Sequence, residues 1–355
     1  MCRLFCALTV VLLAISACAS QKSVTSGNVL GAACANHAQV INSSTIPPET
    51  TEITVGSMPI PDTAALEIAM DCGFFASEGL KVRKEIIQGT GAAIPDLKAG
   101  HLQFCLLSHV TALAAQSSGV VDLRYVADAY QAAPETFLLM VPKDSTVRGP
   151  ADLRGRSVAV TTLKSVGTLT TEVALKAGGL TAADVKMIEM PLPNMPAALQ
   201  AGTVSAAWLT EPFITAAKRQ GARAIADVMT GPTDRFPVAG YGTTAMFAER
   251  NPEIVAAFQR AITAGQQIAA SGREVITKIL PVYTRISPQD AERVTLGGYP
   301  VTLDPARLER VAALLREYGY TDRPVDIGPM LRLLPAGTPK ATPAGHRAGV
   351  TPTGR

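Results

Sequence analysis

Ile53-Thr54-Val55-Gly56-Ser57 and Ser157-Val158-Ala159-Val160-Thr161 decide the fold, because each opens the same succession of elements. After the first come a helix from about residue 63, a strand at 80–87 behind Gly79, a short helix ending at Gly100 and a strand at 102–108. After the second come a helix from about residue 168, a strand at 185–190 behind Gly179-Leu180, a short helix ending at Gly202 and a strand at 204–210. The short helices close alike, on Leu97-Lys98-Ala99-Gly100 and on Leu199-Gln200-Ala201-Gly202. A glycine just past a helix end accepts the left-handed conformation that stops it. This order predicts two open parallel sheets, each taking ligand beyond the carboxyl ends of its strands. Two such edges facing each other form a cleft, which suits the enclosure of a small molecule.

Outward from this duplication, residues 4–15 are almost wholly apolar behind the single cation Arg3. The run is shorter than the roughly 20 residues a membrane span needs, so it reads as a secretory signal peptide. It ends in Ile15-Ser16-Ala17-Cys18, which resembles the bacterial lipobox; there the cysteine becomes lipidated, here Cys18. Cleavage after Ala19 is the alternative, since Ala17-Cys18-Ala19 fits the small-x-small rule. Residues 19–50 lack periodicity and contain Pro47-Pro48, as expected of a flexible spacer between an anchor and a folded body. Residues 336–355, rich in Pro, Gly and Thr, read as a disordered tail.

Apolar residues make up 47% of the chain and charged ones 17%, so the body between these ends is globular. A net charge of +3 over 355 residues creates no field that would argue for nucleic acid. No Walker loop and no GxGxxG follows a strand, no Cys/His spacing resembles a metal site, and no cofactor is expected. Cys34 falls in the spacer, Cys72 near the end of the first helix, and Cys105 inside a strand. A Cys72–Cys105 bridge and buried free thiols both fit an exported protein.

Further segments carry a family likeness: Gly73-Phe74-Phe75 with Glu78-Gly79-Leu80-Lys81-Val82, Ala99-Gly100-His101-Leu102-Gln103-Phe104, and Ala151-Asp152-Leu153-Arg154-Gly155-Arg156 before the second opening strand. Gly178-Gly179-Leu180, Ala201-Gly202-Thr203-Val204-Ser205, Glu211-Pro212, Asn251-Pro252-Glu253 and Pro324-Val325-Asp326-Ile327 continue it. In order and spacing these resemble the nitrate/sulfonate/taurine-type substrate-binding proteins of ABC importers, a group that also holds binders of thiamine-pyrimidine precursors. Gln103 and Ser205 stand where that family often has an acidic residue, so no role is carried onto them.

The resemblance implies the type II periplasmic-binding-protein fold, two α/β lobes joined by a hinge that the chain crosses twice. The expected division is a leader over 1–17, a lipid-anchored spacer over 18–50, one lobe from 51–138 plus 243–335, the other from 139–242, and the tail. The crossings are expected near 136–142, at Phe137-Leu138-Leu139-Met140-Val141, and near 236–247. The partners it implies are a small solute, a permease with its ATPase, and the membrane through the anchor, with the protein itself a monomer.

Residues just after each strand should line the cleft. In the first lobe these include Pro59 and Asp62, the latter also placed to cap a helix. Gly89-Thr90-Gly91 leads into a helix and reads either as an ordinary turn or as a cradle of backbone donors for an anion. Ser108 and His109 follow the third strand. In the second lobe, Thr162, Ser165, Gly167 and Thr168 gather hydroxyls and backbone donors in one turn, while the Lys164 ammonium defaults to solvent. Asn194 and Glu211 complete the candidates, Trp208 reads as core or as a stacking platform, and Tyr130 and Tyr241 lie near the crossings.

The function expected is capture of a small anionic or zwitterionic solute, sulfonate, nitrate or taurine-like, for import. The alternatives are an enzyme on the same fold, a lyase or a thiamine-pyrimidine precursor synthase, or a binder of a thiamine-pyrimidine precursor, and an interaction module without transport is a third reading. The sequence contains no nucleophile elbow and no paired carboxylates at supporting spacing.

Overall fold

The computed structural model describes residues 30–35 and 51–331. The leader, Cys18, most of the spacer and the tail at 336–355 lie outside the described residues.

The elements before the hinge are α1 (Gly31–Ala35), β1 (Thr51–Ser57), α2 (Ala64–Asp71), α3 (Phe74–Ser77), β2 (Leu80–Ile86), α4 (Thr90–Ala99), β3 (Phe104–Ser108), α5 (His109–Ser117) and β4 (Leu123–Gln131). The second lobe contains β5 (Phe137–Val141), β6 (Ser157–Val160), α6 (Val166–Ala177), β7 (Lys186–Glu189), α7 (Met195–Gln200), β8 (Ala206–Thr210), α8 (Phe213–Arg219) and β9 (Arg223–Asp227). The chain then returns through β10 (Pro237–Thr244), α9 (Ala245–Arg250), α10 (Pro252–Ala270), α11 (Arg273–Tyr283), α12 (Pro288–Ala291), α13 (Pro305–Glu317) and α14 (Gly328–Leu331).

Two five-stranded sheets result, ordered β2-β1-β3-β10-β4 and β7-β6-β8-β5-β9. Each repeat supplies a parallel trio, β2-β1-β3 in one sheet and β7-β6-β8 in the other. The helix stops expected from the duplicated glycines are present, with Gly100 at φ 78° and Gly202 at φ 68°.

Neither sheet is wholly parallel. β10 lies antiparallel between β3 and β4, and β5 lies antiparallel between β8 and β9. The apolar run Phe137–Val141 is therefore a central strand of the second sheet rather than the crossing itself. A continuous apolar run is the mark of a strand covered on both faces, and all five of its residues are buried. Likewise β10 belongs to the first sheet, so residues 237–242 fall in the first lobe instead of the second. The crossings are the short segments 132–136 and 228–236. They run side by side, tied by Ala132 N–H to Phe236 O at 2.8 Å and Val228 N–H to Phe137 O at 3.2 Å.

The long helix α10 returns onto the first lobe against α2 and α3. Its approach to α2 is close enough that a Cβ at Gly265 would stand 2.2 Å from the Ala65 carbonyl oxygen, so only glycine fits there. Phe258 of α10 stacks on Phe104 of β3, with ring centroids 3.8 Å apart.

The cysteines pair differently from either expectation. Cys34 is bonded to Cys72 across 38 positions, with Cα atoms 5.3 Å apart. Residues 30–35 are therefore pinned to the first lobe rather than forming part of a free spacer: Leu30 and Cys34 are buried, and Leu30 N–H donates to Asp71 Oδ2 at 3.2 Å. Cys105 remains a free thiol, sealed under Gly56, whose added Cβ would meet its Sγ at 3.0 Å. Burial pushes that thiol up to about 12. The bridge holds a loop that would otherwise open in the unfolded chain. Cys72→Ser should therefore lower stability by roughly 2–4 kcal/mol, read as an earlier urea midpoint. A midpoint indistinguishable from that of the wild type would show that the bridge carries no stability.

Candidate functional site

The loops after the parallel strands meet in one cavity bounded by both lobes. It encloses about 510 Å³ of space, part of it open to solvent. Met58, Ile60 and Asp62 follow β1, Gly89 and Thr90 follow β2, and Ser108 ends β3, with Thr111 one helical turn on. From the second lobe come Thr161, Thr162, Ser165, Val166, Leu192, Trp208 and Thr210. The strands beyond the two crossings add Phe137, Val238 and Ala239.

The lobes touch across this gap. Thr111 Oγ1 of α5 donates to the Lys164 carbonyl at 3.4 Å. Gly89 and Gly91 face Thr162 closely enough that added Cβ atoms would stand 3.6 Å and 3.7 Å from its side chain.

Asp62 is the distinctive member. It sits inside a tight 3-10 turn, Pro61–Thr63, rather than at a helix cap, and makes no capping bond. Three hydroxyls around that turn, those of Thr63, Tyr283 and Tyr299, are directed at its backbone instead of the carboxylate. Thr63 Oγ1 donates to the Met58 and Ile60 carbonyls at 2.8 and 2.9 Å. Tyr283 donates to Ile60 O and Tyr299 to Pro61 O, both at 3.1 Å. Tyr130 accepts from Gly297 N–H at 2.6 Å. Asp62 is 2% exposed, and its Oδ1 is buried with no hydrogen-bond partner among the described residues. Burial pushes the carboxyl up to about 7, because the charged form loses water and gains no cation. Ser108 Oγ is a second buried atom of this cavity without a partner.

The turn after β6 is held together internally. Ser165 caps α6, its Oγ accepting from Thr168 N–H at 3.4 Å, while Thr168 Oγ1 donates to the Thr162 carbonyl at 2.9 Å. Ser165 reaches the cavity but Thr168 does not line it. Gly167 is fixed by packing: a Cβ there would meet the Trp208 ring at 3.0 Å. Its place is behind the cavity wall. Trp208 itself forms that wall, stacked on Phe137 at 5.0 Å with its indole N–H on Thr170 Oγ1 at 3.0 Å.

Asp62, Gly89, Thr90, Ser108, Thr162 and Ser165 are thus brought together, and Pro59, Gly91, Gly167, Thr168, Asn194 and Glu211 do not line the cavity. Asn194 is exposed at the start of α7. Glu211 is buried but turned to Thr215, accepting from its N–H at 3.1 Å and its hydroxyl at 3.0 Å. Thr90 Oγ1 accepts from Ser108 N–H at 2.7 Å, which joins the ends of two strands. His109 is fully buried on Tyr125, with Nδ1 and the phenol oxygen 2.9 Å apart, and faces away from the cleft. Sequence reasoning missed Thr111, Phe137, Leu192, Val238 and Ala239. Of these, the run containing Phe137 was visible and misassigned.

Among the described residues no cluster of His, Cys, Asp or Glu could hold a metal ion. None of their helices is long and apolar enough to cross a membrane.

A family model described as NMT1/THI5 like matches residues 60–273. No curated protein sequence matches. Among solved structures, the alkanesulfonate-binding protein SsuA from Xanthomonas axonopodis pv. citri, bound to MOPS, is 19% identical with a TM-score of 0.67, covering 80% of this chain and 99% of its own. A Candida albicans gene product with the generic periplasmic binding protein fold is 13% identical at TM-score 0.68, covering 80% and 96%. The desulfurization enzyme DSZB is 16% identical at TM-score 0.55, covering 79% and 96%. These likenesses establish the periplasmic-binding-protein fold.

Proposed function

We propose that this chain, which belongs to the NMT1/THI5-like family, is an extracytoplasmic solute-binding protein. It closes two lobes on a small molecule and passes that molecule to an ABC permease and its ATPase. The observation that carries this reading is a cavity lined by the loops that follow the parallel strands of both lobes. A solute bridging two lobes stabilises the closed arrangement by its differential affinity, and no chemistry is needed. Export and attachment through an acylated Cys18 belong to the same reading. The Cys18→Ser protein should be released from membranes and lack the acyl mass; unchanged mass and retention would remove the anchor from the reading.

A thermal-shift screen tests capture. Sulfonates, nitrate, taurine, amines and pyrimidines form its arms, and a solute at about a hundred times its Kd should add about 2.7 kcal/mol. For a body of this size that is a rise of several degrees. The similar fold of DSZB keeps an enzyme in view, but Asp62 is the sole ionisable side chain lining the cavity among the described residues. Cys105, sealed in the first lobe, is no nucleophile at neutral pH. Turnover of any screened compound without a thermal shift would favour the enzyme.

A further inference from the structure

We infer that the solute carries a protonated amine or a comparable N–H-bearing cation on a largely apolar body, and that this group takes Asp62 as its counter-ion in exchange for a proton. This rests on the solute-binding reading above and specifies the chemistry of that same cavity.

Three observations lead to it. Among the described residues, Asp62 Oδ1 and Ser108 Oγ are the two atoms of the cavity lining that are buried without a partner, where buried polar groups are ordinarily matched. Among the described residues no Lys, Arg or His lines the cavity, so a purely anionic solute would sit beside a carboxylate with no cation from them to balance either charge. Met58, Ile60, Phe137, Leu192, Trp208 and Val238 give the walls a broad apolar and aromatic part, set among uncharged Ser and Thr side chains. A donor cation supplies what Asp62 lacks, and the walls accept an apolar body.

The groups facing Asp62 do not compete for that role. Tyr130, Tyr241, Tyr283 and Tyr299 surround it from β4, β10, α11 and the loop before α13, and burial pushes each phenol above its ordinary range, so all four stay neutral. Glu67 of α2 is held by Lys84 Nζ at 2.7 Å, and Glu211 is bonded to Thr215. With the carboxyl itself near 7, cation binding below that pH displaces one proton from Asp62 to solvent, and affinity falls roughly tenfold per pH unit of acidification.

The test uses primary amines, sulfonates and alcohols built on the same alkyl and benzyl skeletons. They are titrated calorimetrically into the wild type and into Asp62→Asn at pH 6 and pH 8.5, in two buffers of different ionisation enthalpy. The expected result is amine binding that releases about one proton at pH 6 and almost none at pH 8.5. That binding should weaken about a hundredfold in Asp62→Asn, with no proton released at either pH. Sulfonates or alcohols bound as tightly as amines, with Asp62→Asn indifferent, would overturn the inference and leave solute capture standing. Amine binding without proton release at pH 6 would also overturn it. No binding in any series would overturn it too, and would count against solute capture only if the wider screen were equally blank.

Discussion

Asp62→Asn should make the protein without solute more stable at pH 8, by about 4 kcal/mol, and leave it nearly unchanged near pH 4. In the unfolded chain an aspartate titrates near 3.9, whereas in the fold this one is pushed up to about 7. Between those values the folded state holds a proton that the unfolded state has lost, so stability falls as pH rises from about 4 to about 7 and stays low above. Roughly three pH units at 1.36 kcal/mol each give the magnitude. Asparagine does not titrate, so its melting curve lacks that decline. Glu67, Glu172 and Glu211, also raised by burial, remain in both proteins and cancel in the difference. Melting temperatures measured from pH 4 to 9 should diverge by on the order of 10 °C at the alkaline end. Parallel curves would mean that the carboxylate is solvated or paired. A residue that destabilises its own fold is most simply maintained by binding. The stability test and the solute titration therefore examine one carboxylate from opposite sides.

What the sequence disclosed follows from which interactions are local. The two parallel trios were legible because each strand, helix and stopping glycine is set by neighbours within one repeat, and Gly100 and Gly202 mark the same stop twice. The cavity rims after β1, β2, β3 and β6 were legible for the same reason. The antiparallel insertion of β5 and β10 was not, because it pairs Phe137 with Thr210 and Gly240 with Leu107, partners far away in sequence. Cys34 was equally hidden: its segment has no periodicity, and only the end of α2 beneath it makes the Cys72 thiol reachable. Gly167 and Thr168 were placed in the right turn but given the wrong neighbours, since Trp208 and the Thr162 carbonyl claim them.

Glu78 shows the same limit, and it carries the other large effect. It lies in Glu78-Gly79-Leu80, a stretch that fits the family pattern without revealing what its acid does. In the structure its side chain is fully buried and is gripped through both oxygens by Arg260 of α10, at 3.0 Å from Nε and 2.6 Å from Nη2. The partner comes 182 positions later, after the chain has built the whole second lobe and returned. Arg260 is itself 40% exposed, so most of the desolvation falls on the carboxylate. Removing the guanidinium leaves that buried charge unpaired, which costs roughly 3–5 kcal/mol. Arg260→Met keeps the length of the stem and should lower the urea midpoint accordingly, with the slope of the transition unchanged. In Glu78→Leu/Arg260→Met no charge remains to be stranded, and most of the loss should be recovered. A single variant within about 1 kcal/mol of wild type would place the pair among weakly contributing surface contacts. A double variant no better than the single one would show instead that α10 needs the guanidinium itself. Recovery in the double variant would locate the pair's contribution in the docking of α10 onto the turn before β2, the contact through which the returning chain completes the lobe that holds Asp62.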